Sequence, residues 1–155
     1  MQINGVEVDK LLAIICVGIK LLQEHIGIKG SSGHFTVLRD IPETTPLLIL
    51  EIGNDGTKNL AFSIEQAERL RSNQGHLTSS QSRDVQAGKL GGAIRIPGYI
   101  FSFSGFDDEE ANEALMTYLA FEAKFIENFR AINISSVSFE VLGRRNYFVR
   151  MMLHR

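Results

Sequence analysis

The chain is poor in cysteine, and this excludes several kinds of site. Its only cysteine, Cys16, cannot form an internal disulfide, so nothing indicates an oxidising compartment. Without a cysteine pair, or two histidines at the spacing of a zinc site, a zinc centre is not expected. Cys16 lies within an apolar helical pattern, and we therefore predict a buried structural thiol rather than a reactive one.

Neither an excess of one charge nor a long hydrophobic run is present. Sixteen basic and 18 acidic residues give a net charge of −2, which argues against a general nucleic-acid binder. The apolar run at residues 11–19 is far shorter than the roughly 20 residues needed to cross a bilayer. The N-terminal residues lack the basic and apolar regions of a signal peptide. We therefore expect a cytoplasmic protein that has neither a nucleic acid nor a membrane as partner.

What the chain does contain is a regular succession of helix and strand patterns. With 155 residues and a hydrophobic fraction of 44%, one domain over residues 1–155 is the simplest prediction. Hydrophobic spacing predicts an order of α-β-β-α-β-β-α followed by one or two strands. This order predicts an α+β fold in which helices flank an antiparallel sheet, as in profilin-like and roadblock-like domains. The predicted helices are 8–26, 62–73 and 107–128, and the predicted strands are 34–40, 47–52, a hairpin within 90–106, 136–141 and 147–153.

Two of the predicted helices carry further signals. Helix 8–26 is apolar on more sides than one buried stripe requires, so we predict a homo-oligomer that associates through this helix. In helix 62–73, Ser63 and Gln66 have the spacing of a capping box, which makes Ser63 the predicted N-cap.

A group of motifs in residues 91–114 resembles a known family. Gly91-Gly92 precedes a hairpin, the second strand ends in Phe103-Ser104-Gly105, and an acidic helix start follows with Asp107 and Asp108. Together with the second-helix residues Ser63-Ile64-Glu65 and Ala67, these motifs are similar to those of the GlcG-type family of haem-binding or haem-degrading domains. The resemblance covers residues 8–120 and leaves residues 135–155 as a C-terminal strand extension.

The resemblance implies a small-molecule or cofactor ligand, with haem or another tetrapyrrole as the first candidate. A haem needs an axial ligand, and His34 is the first choice because it follows a glycine-rich turn. His76 could assist, and Arg83 or Lys89 could pair with haem propionates. The resemblance places Phe103, Ser104 and Gly105 beside the same ligand. An aromatic stripe on the strand, Tyr99, Phe101 and Phe103, could stack on a planar cofactor but is more often core.

Two alternatives to ligand binding remain open. The first is a non-enzymatic oligomeric scaffold or protein-interaction domain, because this kind of fold supports unrelated functions. The second, weaker one is a hydrolase built around His76 and the serine-rich residues 78–84, although a solvated loop is the better interpretation of that stretch. No residues have the sequence spacing of a catalytic site, so we do not predict an activity.

Overall fold

The computed structural model describes residues 1–42, 45–143 and 145–155, and it confirms the α+β fold. A four-stranded antiparallel sheet has the order β4-β3-β6-β5, and a separate two-stranded ribbon, β1-β2, lies at the N-terminus. The strands are β1 Gln2–Ile3, β2 Val6–Glu7, β3 Gly33–Arg39, β4 Leu48–Ile52, β5 Ala93–Ile96 and β6 Tyr99–Ser104. The helices are α1 Val8–Leu21, which continues as a π-helical turn over Leu22–Ile26, α2 Lys58–Ser72, α3 Glu109–Glu122, α4 Asn128–Leu142 and α5 Tyr147–His154.

The first helix buries one stripe and exposes another. Leu11, Ile15 and Ile19 recur at helical spacing and lie in the core, and the segment ends at Gly27 with a left-handed φ of +83°. Cys16 is exposed, so the prediction of a buried thiol is wrong. The reason is geometric, because consecutive helix residues point about 100° apart and Cys16 lies beside the buried stripe. Among the described residues, no helix is long and apolar enough to span a bilayer.

The aromatic stripe of β6 belongs to the main core. Phe101 and Phe103 are fully buried, and Phe101 makes edge-to-face contacts with Phe35 of β3 and Phe125. Tyr99 also packs edge-to-face against Phe125. These rings share one hydrophobic cluster with residues of α1 and α3. Helix α3 packs on β5 and β6, and α1 packs on α3.

The opposite face of the sheet is polar, and α2 covers it through hydrogen bonds. Thr36 bonds to Ser63 at 2.8 Å between hydroxyl oxygens, and Ser102 donates to the Oε1 of Gln66 at 3.1 Å. Because α2 begins at Lys58, Ser63 lies inside the helix, and the predicted capping box at Ser63 and Gln66 is wrong. Both side chains bond to the sheet instead. A small apolar cluster completes the contact: Leu38, Ala67, Leu70, Ala93 and Ile100.

The C-terminal strands predicted for residues 135–155 are wrong, because α4 and α5 occupy this segment. The apolar and polar residues of 136–141 do alternate, but Ala131, Ile134, Ser135 and Ser138 lie at helical spacing and are the residues that become buried. Three of these four side chains are small, so α4 can lie close against α3. The predicted helix 107–128 is also too long, since α3 ends at Glu122 and Lys124 has a φ of +65°.

The Thr36–Ser63 contact predicts an asymmetry in stability. Ser63 donates to the carbonyl oxygen of Leu60, so Thr36 donates to Ser63. Thr36→Val removes one hydrogen bond and should lower the free energy of unfolding by about 1 kcal/mol. Ser63→Ala leaves the buried Thr36 hydroxyl without a partner and should cost more, about 2 kcal/mol. The double variant Thr36→Val/Ser63→Ala should lose about as much free energy of unfolding as Thr36→Val alone.

Urea unfolding of the three variants measures this difference, with the exposed Thr57→Val as the matched control. Two results would contradict the assignment of Thr36 as the donor to Ser63. The first is a double variant whose loss of unfolding free energy equals the sum of the two single losses. The second is a larger loss for Thr36→Val than for Ser63→Ala.

Candidate functional site

His34 is held by a buried carboxylate. It is the second residue of β3, is 6% exposed, and its Nδ1 lies 2.7 Å from Oδ2 of Asp55. The Asp55 side chain is buried as well and comes from the turn between β4 and α2. Glu51 fixes this turn, because its carboxylate accepts the backbone N–H groups of Asp55 and Gly56, both at 3.1 Å. The aspartate is therefore positioned before it contacts the imidazole.

Further side chains hold Asp55 in place. Its Oδ1 accepts a hydrogen bond from Nδ2 of Asn59 at 2.8 Å, and Oδ1 of Asn59 accepts one from the hydroxyl of Ser104 at 2.9 Å. We call His34, Asp55, Asn59 and Ser104 the His34 network. It joins β3, β6, α2 and the turn before α2, so the orientation of the imidazole depends on the relative placement of four elements.

The network leaves one ring nitrogen available. A neutral imidazole that donates from Nδ1 to a carboxylate carries its lone pair on Nε2. Within the described ranges no side chain or backbone group bonds to this nitrogen, and it is not among the fully buried polar atoms. This is the arrangement that metal-bound histidines commonly show, with the second nitrogen donating to a carboxylate.

Five other residues were predicted to share a ligand site with His34. Three of them, Phe103, Ser104 and Gly105, follow one another at the end of β6 near His34, and the other two do not lie near it. Ser104 is the cross-strand partner of His34 and belongs to the network. Gly105 follows it and lies so close to the carbonyl oxygen of Ser32 and to Gly33 that no side chain would fit there. Phe103 is adjacent in sequence but points into the main core, as strand alternation requires, so it cannot stack on a ligand at His34.

His76 and Arg83 lie elsewhere. The carbonyl oxygen of His76 accepts a hydrogen bond from Nε of Arg95 at 2.9 Å. Arg83 forms a bidentate ion pair with Glu109, with Nε 2.9 Å from both carboxylate oxygens. Neither residue bonds to His34 or Asp55, so the structure does not assemble the predicted group of His34, His76 and Arg83.

The serine-rich stretch is a buried structural turn. Residues Ser79–Ser82 form a 3₁₀ turn, and Thr78, Ser79 and Ser80 are buried, so the interpretation as a solvated loop is wrong. Thr78 and Gln81 form a capping box at the start of this turn, whereas the sequence predicts one at Ser63 and Gln66. The hydroxyl of Ser79 accepts the backbone N–H of Ala93 at 3.0 Å. No serine of the turn bonds to the His76 ring, so the nucleophile–base contact of a hydrolase is missing here.

The glycine pair of the family-like motif anchors α3. The N–H of Gly91 donates to Glu109 at 2.6 Å, and the N–H of Gly92 donates to Oε2 of Glu113 at 3.0 Å. The two carboxylates are one helical turn apart, so consecutive backbone amides meet both. A Cβ on Gly91 would lie 2.6 Å from the Glu113 carboxylate, which explains why no side chain is present. The motif therefore has a structural role that does not require a ligand.

Glu113 is a buried titratable residue that the sequence analysis missed. Burial raises its pKa to about 7, and hydrogen bonds from Ser80 and Gly92 offset part of this effect. The sequence signal was a glutamate four residues after Glu109, on the same side of the helix. No sequence pattern indicated that Ser80 and Gly92 would surround it.

A polar cavity lies at the start of α3. Its volume is about 410 Å³, and its lining includes Arg83, Asp107, Asp108 and Glu109. Local contacts account for several of these charges, because Asp108 caps the helix at the N–H of Ala111 and Glu109 pairs with Arg83. In the part of the chain that the structure describes, no three His, Cys, Asp or Glu side chains are grouped so as to hold a metal ion.

Comparisons of the chain with family models, with curated proteins and with solved structures gave no match. The resemblance to GlcG-type domains therefore stays a prediction.

The raised pKa of Glu113 predicts how stability depends on pH. Below about pH 4.5 the carboxyl is protonated in both the folded and the unfolded state, so it has no effect. Between pH 4.5 and 7 the unfolded state loses this proton while the folded state keeps it, and stability falls as pH rises. The total loss should be roughly 3 kcal/mol above pH 7.

Glu113→Gln tests this effect because its amide can mimic the protonated carboxyl. The variant should gain up to roughly 3 kcal/mol relative to the wild type between pH 5 and pH 8 in urea unfolding. Glu24→Gln is the control at an exposed carboxyl, and its stability relative to the wild type should not rise between pH 5 and pH 8. A difference between Glu113→Gln and wild type that is constant with pH would refute the shifted pKa.

Proposed function

We propose that this protein is a cytoplasmic small-molecule-binding protein that takes a metal tetrapyrrole such as haem, with Nε2 of His34 as the axial ligand. One observation carries the proposal, namely the buried His34–Asp55 pair with Nδ1 and Oδ2 2.7 Å apart. Histidine is a common axial ligand of haem iron, and a carboxylate on its second nitrogen raises its basicity as a ligand.

The residues of the His34 network would have distinct roles. His34 would bind the metal, and Asp55 would fix the tautomer and the orientation of the ring. Asn59 and Ser104 would hold Asp55 through the two hydrogen bonds described above. Catalysis is not part of the proposal, because degradation of a tetrapyrrole needs a redox partner that these residues do not supply.

The proposed site would have to open before a ligand could bind. Neither the polar cavity at α3 nor an apolar groove of about 500 Å³ between α4 and α5 includes His34. The His34 side chain is 7% exposed, so a ligand would reach Nε2 only if the residues that cover the ring moved aside.

A haem titration read by absorbance tests this function. The wild type should show a saturable Soret shift at one haem per chain, and His34→Ala should abolish it. Asp55→Asn should weaken binding by about tenfold or more, because loss of a carboxylate partner typically costs 10- to 100-fold in metal affinity.

His76→Ala is the matched control, since His76 is also partly buried but lies outside the network. Equal binding by wild type and His34→Ala, or uptake that does not saturate, would reject the proposal.

A second candidate function is a non-enzymatic interaction domain, and a specific observation favours it. Phe129 is 82% exposed and Leu153 is 76% exposed, although both lie in well-formed helices at the C-terminus. Leu153 shares an apolar groove with Ile132 and Val149, and contiguous exposed apolar surface commonly marks an interaction site. Self-association through helix 8–26 stays a prediction, and there the exposed large apolar side chain is Val17.

A further inference from the structure

We propose that the outer face of α4 is a self-association surface, on which two copies of this chain pair through antiparallel α4 helices. The inner face of α4 packs on the protein through Ala131, Ile134, Ser135 and Ser138. The outer face is defined by four exposed residues, which we call the α4 seam: Phe129, Ile132, Ser136 and Phe139.

The spacing of the α4 seam is that of a coiled-coil contact. Its residues follow one another at intervals of three, four and three, which is the a/d pattern of helices that pack together. Phe129, Ile132 and Phe139 are 82%, 47% and 42% exposed, so the residues that the structure describes leave much of this stripe uncovered. Ordinary surface helices place polar residues at such positions.

The spacing of the α4 seam allows it to pair with a second copy of itself. Its four positions are symmetric about position 134, so a two-fold axis there places Phe129 against the partner's Phe139 and Ile132 against the partner's Ser136. The small Ser136 leaves room for the branched side chain of Ile132.

The available area suits a dimer. Beside the α4 seam, the apolar groove exposes Val149 and Leu153 of α5. Covering the exposed parts of these two side chains and of Phe129, Ile132 and Phe139 on both copies would bury on the order of 1,000 Å². This is near the lower bound for a specific interface. The net charge of −2 per chain opposes association only weakly.

Sedimentation equilibrium on the full chain tests the surface and its register together. The wild type should be a dimer, and Phe129→Lys or Phe139→Glu alone should weaken association by at least tenfold. The double variant Phe129→Lys/Phe139→Glu should recover it, because the two-fold axis sets each lysine against a glutamate of the partner. Within one helix these positions are about 15 Å apart, so they cannot form the pair internally.

Circular dichroism serves as the folding control, and Val17→Lys on α1 is the matched surface variant, which should remain dimeric. A monomeric wild type at millimolar concentration would overturn the proposal. A dimer lost in Val17→Lys but not in Phe129→Lys would do so as well, and a double variant that stays monomeric would overturn the antiparallel register.

The α4 seam gives the interaction candidate its surface and does not depend on the haem site. His34→Ala should leave the dimer intact, so a failure at His34 and a failure of the interface are separately visible.

Discussion

The pairing of β3 with β6 determines what lies on each side of the sheet. Six consecutive residue pairs, from His34–Ser104 to Arg39–Tyr99, fix the register of these two central strands. A shift by one residue would exchange the two faces. With the observed register, Phe35 and Phe103 enter the core shared with α1 and α3, while His34 and Ser104 lie on the face that α2 covers. The His34 network therefore depends on a strand register that the hydrophobic core itself enforces.

The other side of the molecule depends on a buried carboxylate. Glu113 links the turn at Ser80 to Gly92 just before β5, and Gly91 adds the contact to Glu109. Burying this carboxyl raises its pKa to about 7 and makes its ionised form costly in free energy. The hydrogen bonds nevertheless require α3 to adopt one position along the sheet. The glycine pair and the acidic helix of the family-like motif are thus explained by the fold, whereas the proposed ligand site rests on His34 and Asp55.

Local patterns in the sequence predict the first half of this fold better than the second. Helical spacing located α1, and short runs rich in apolar residues between turn residues located β3 to β6, because both signals lie within a few consecutive residues. Residues 136–141 satisfy the strand period by composition, but tertiary burial of Ala131, Ile134 and Ser138 selects the helix. The Asp55 partner of His34 could not be predicted, because the two residues are 21 positions apart and only the fold brings them together.

The central claim is that Asp55 holds a proton on Nδ1 of His34 and leaves Nε2 free to bind a metal. A long-range ¹H–¹⁵N NMR spectrum of the imidazole nitrogens at neutral pH tests this most directly, with the exposed His154 as the internal reference. For His34 we expect a protonated Nδ1 and an unprotonated Nε2, with no averaging between tautomers. A proton on Nε2, or a ring that averages between tautomers as an exposed histidine does, would contradict it.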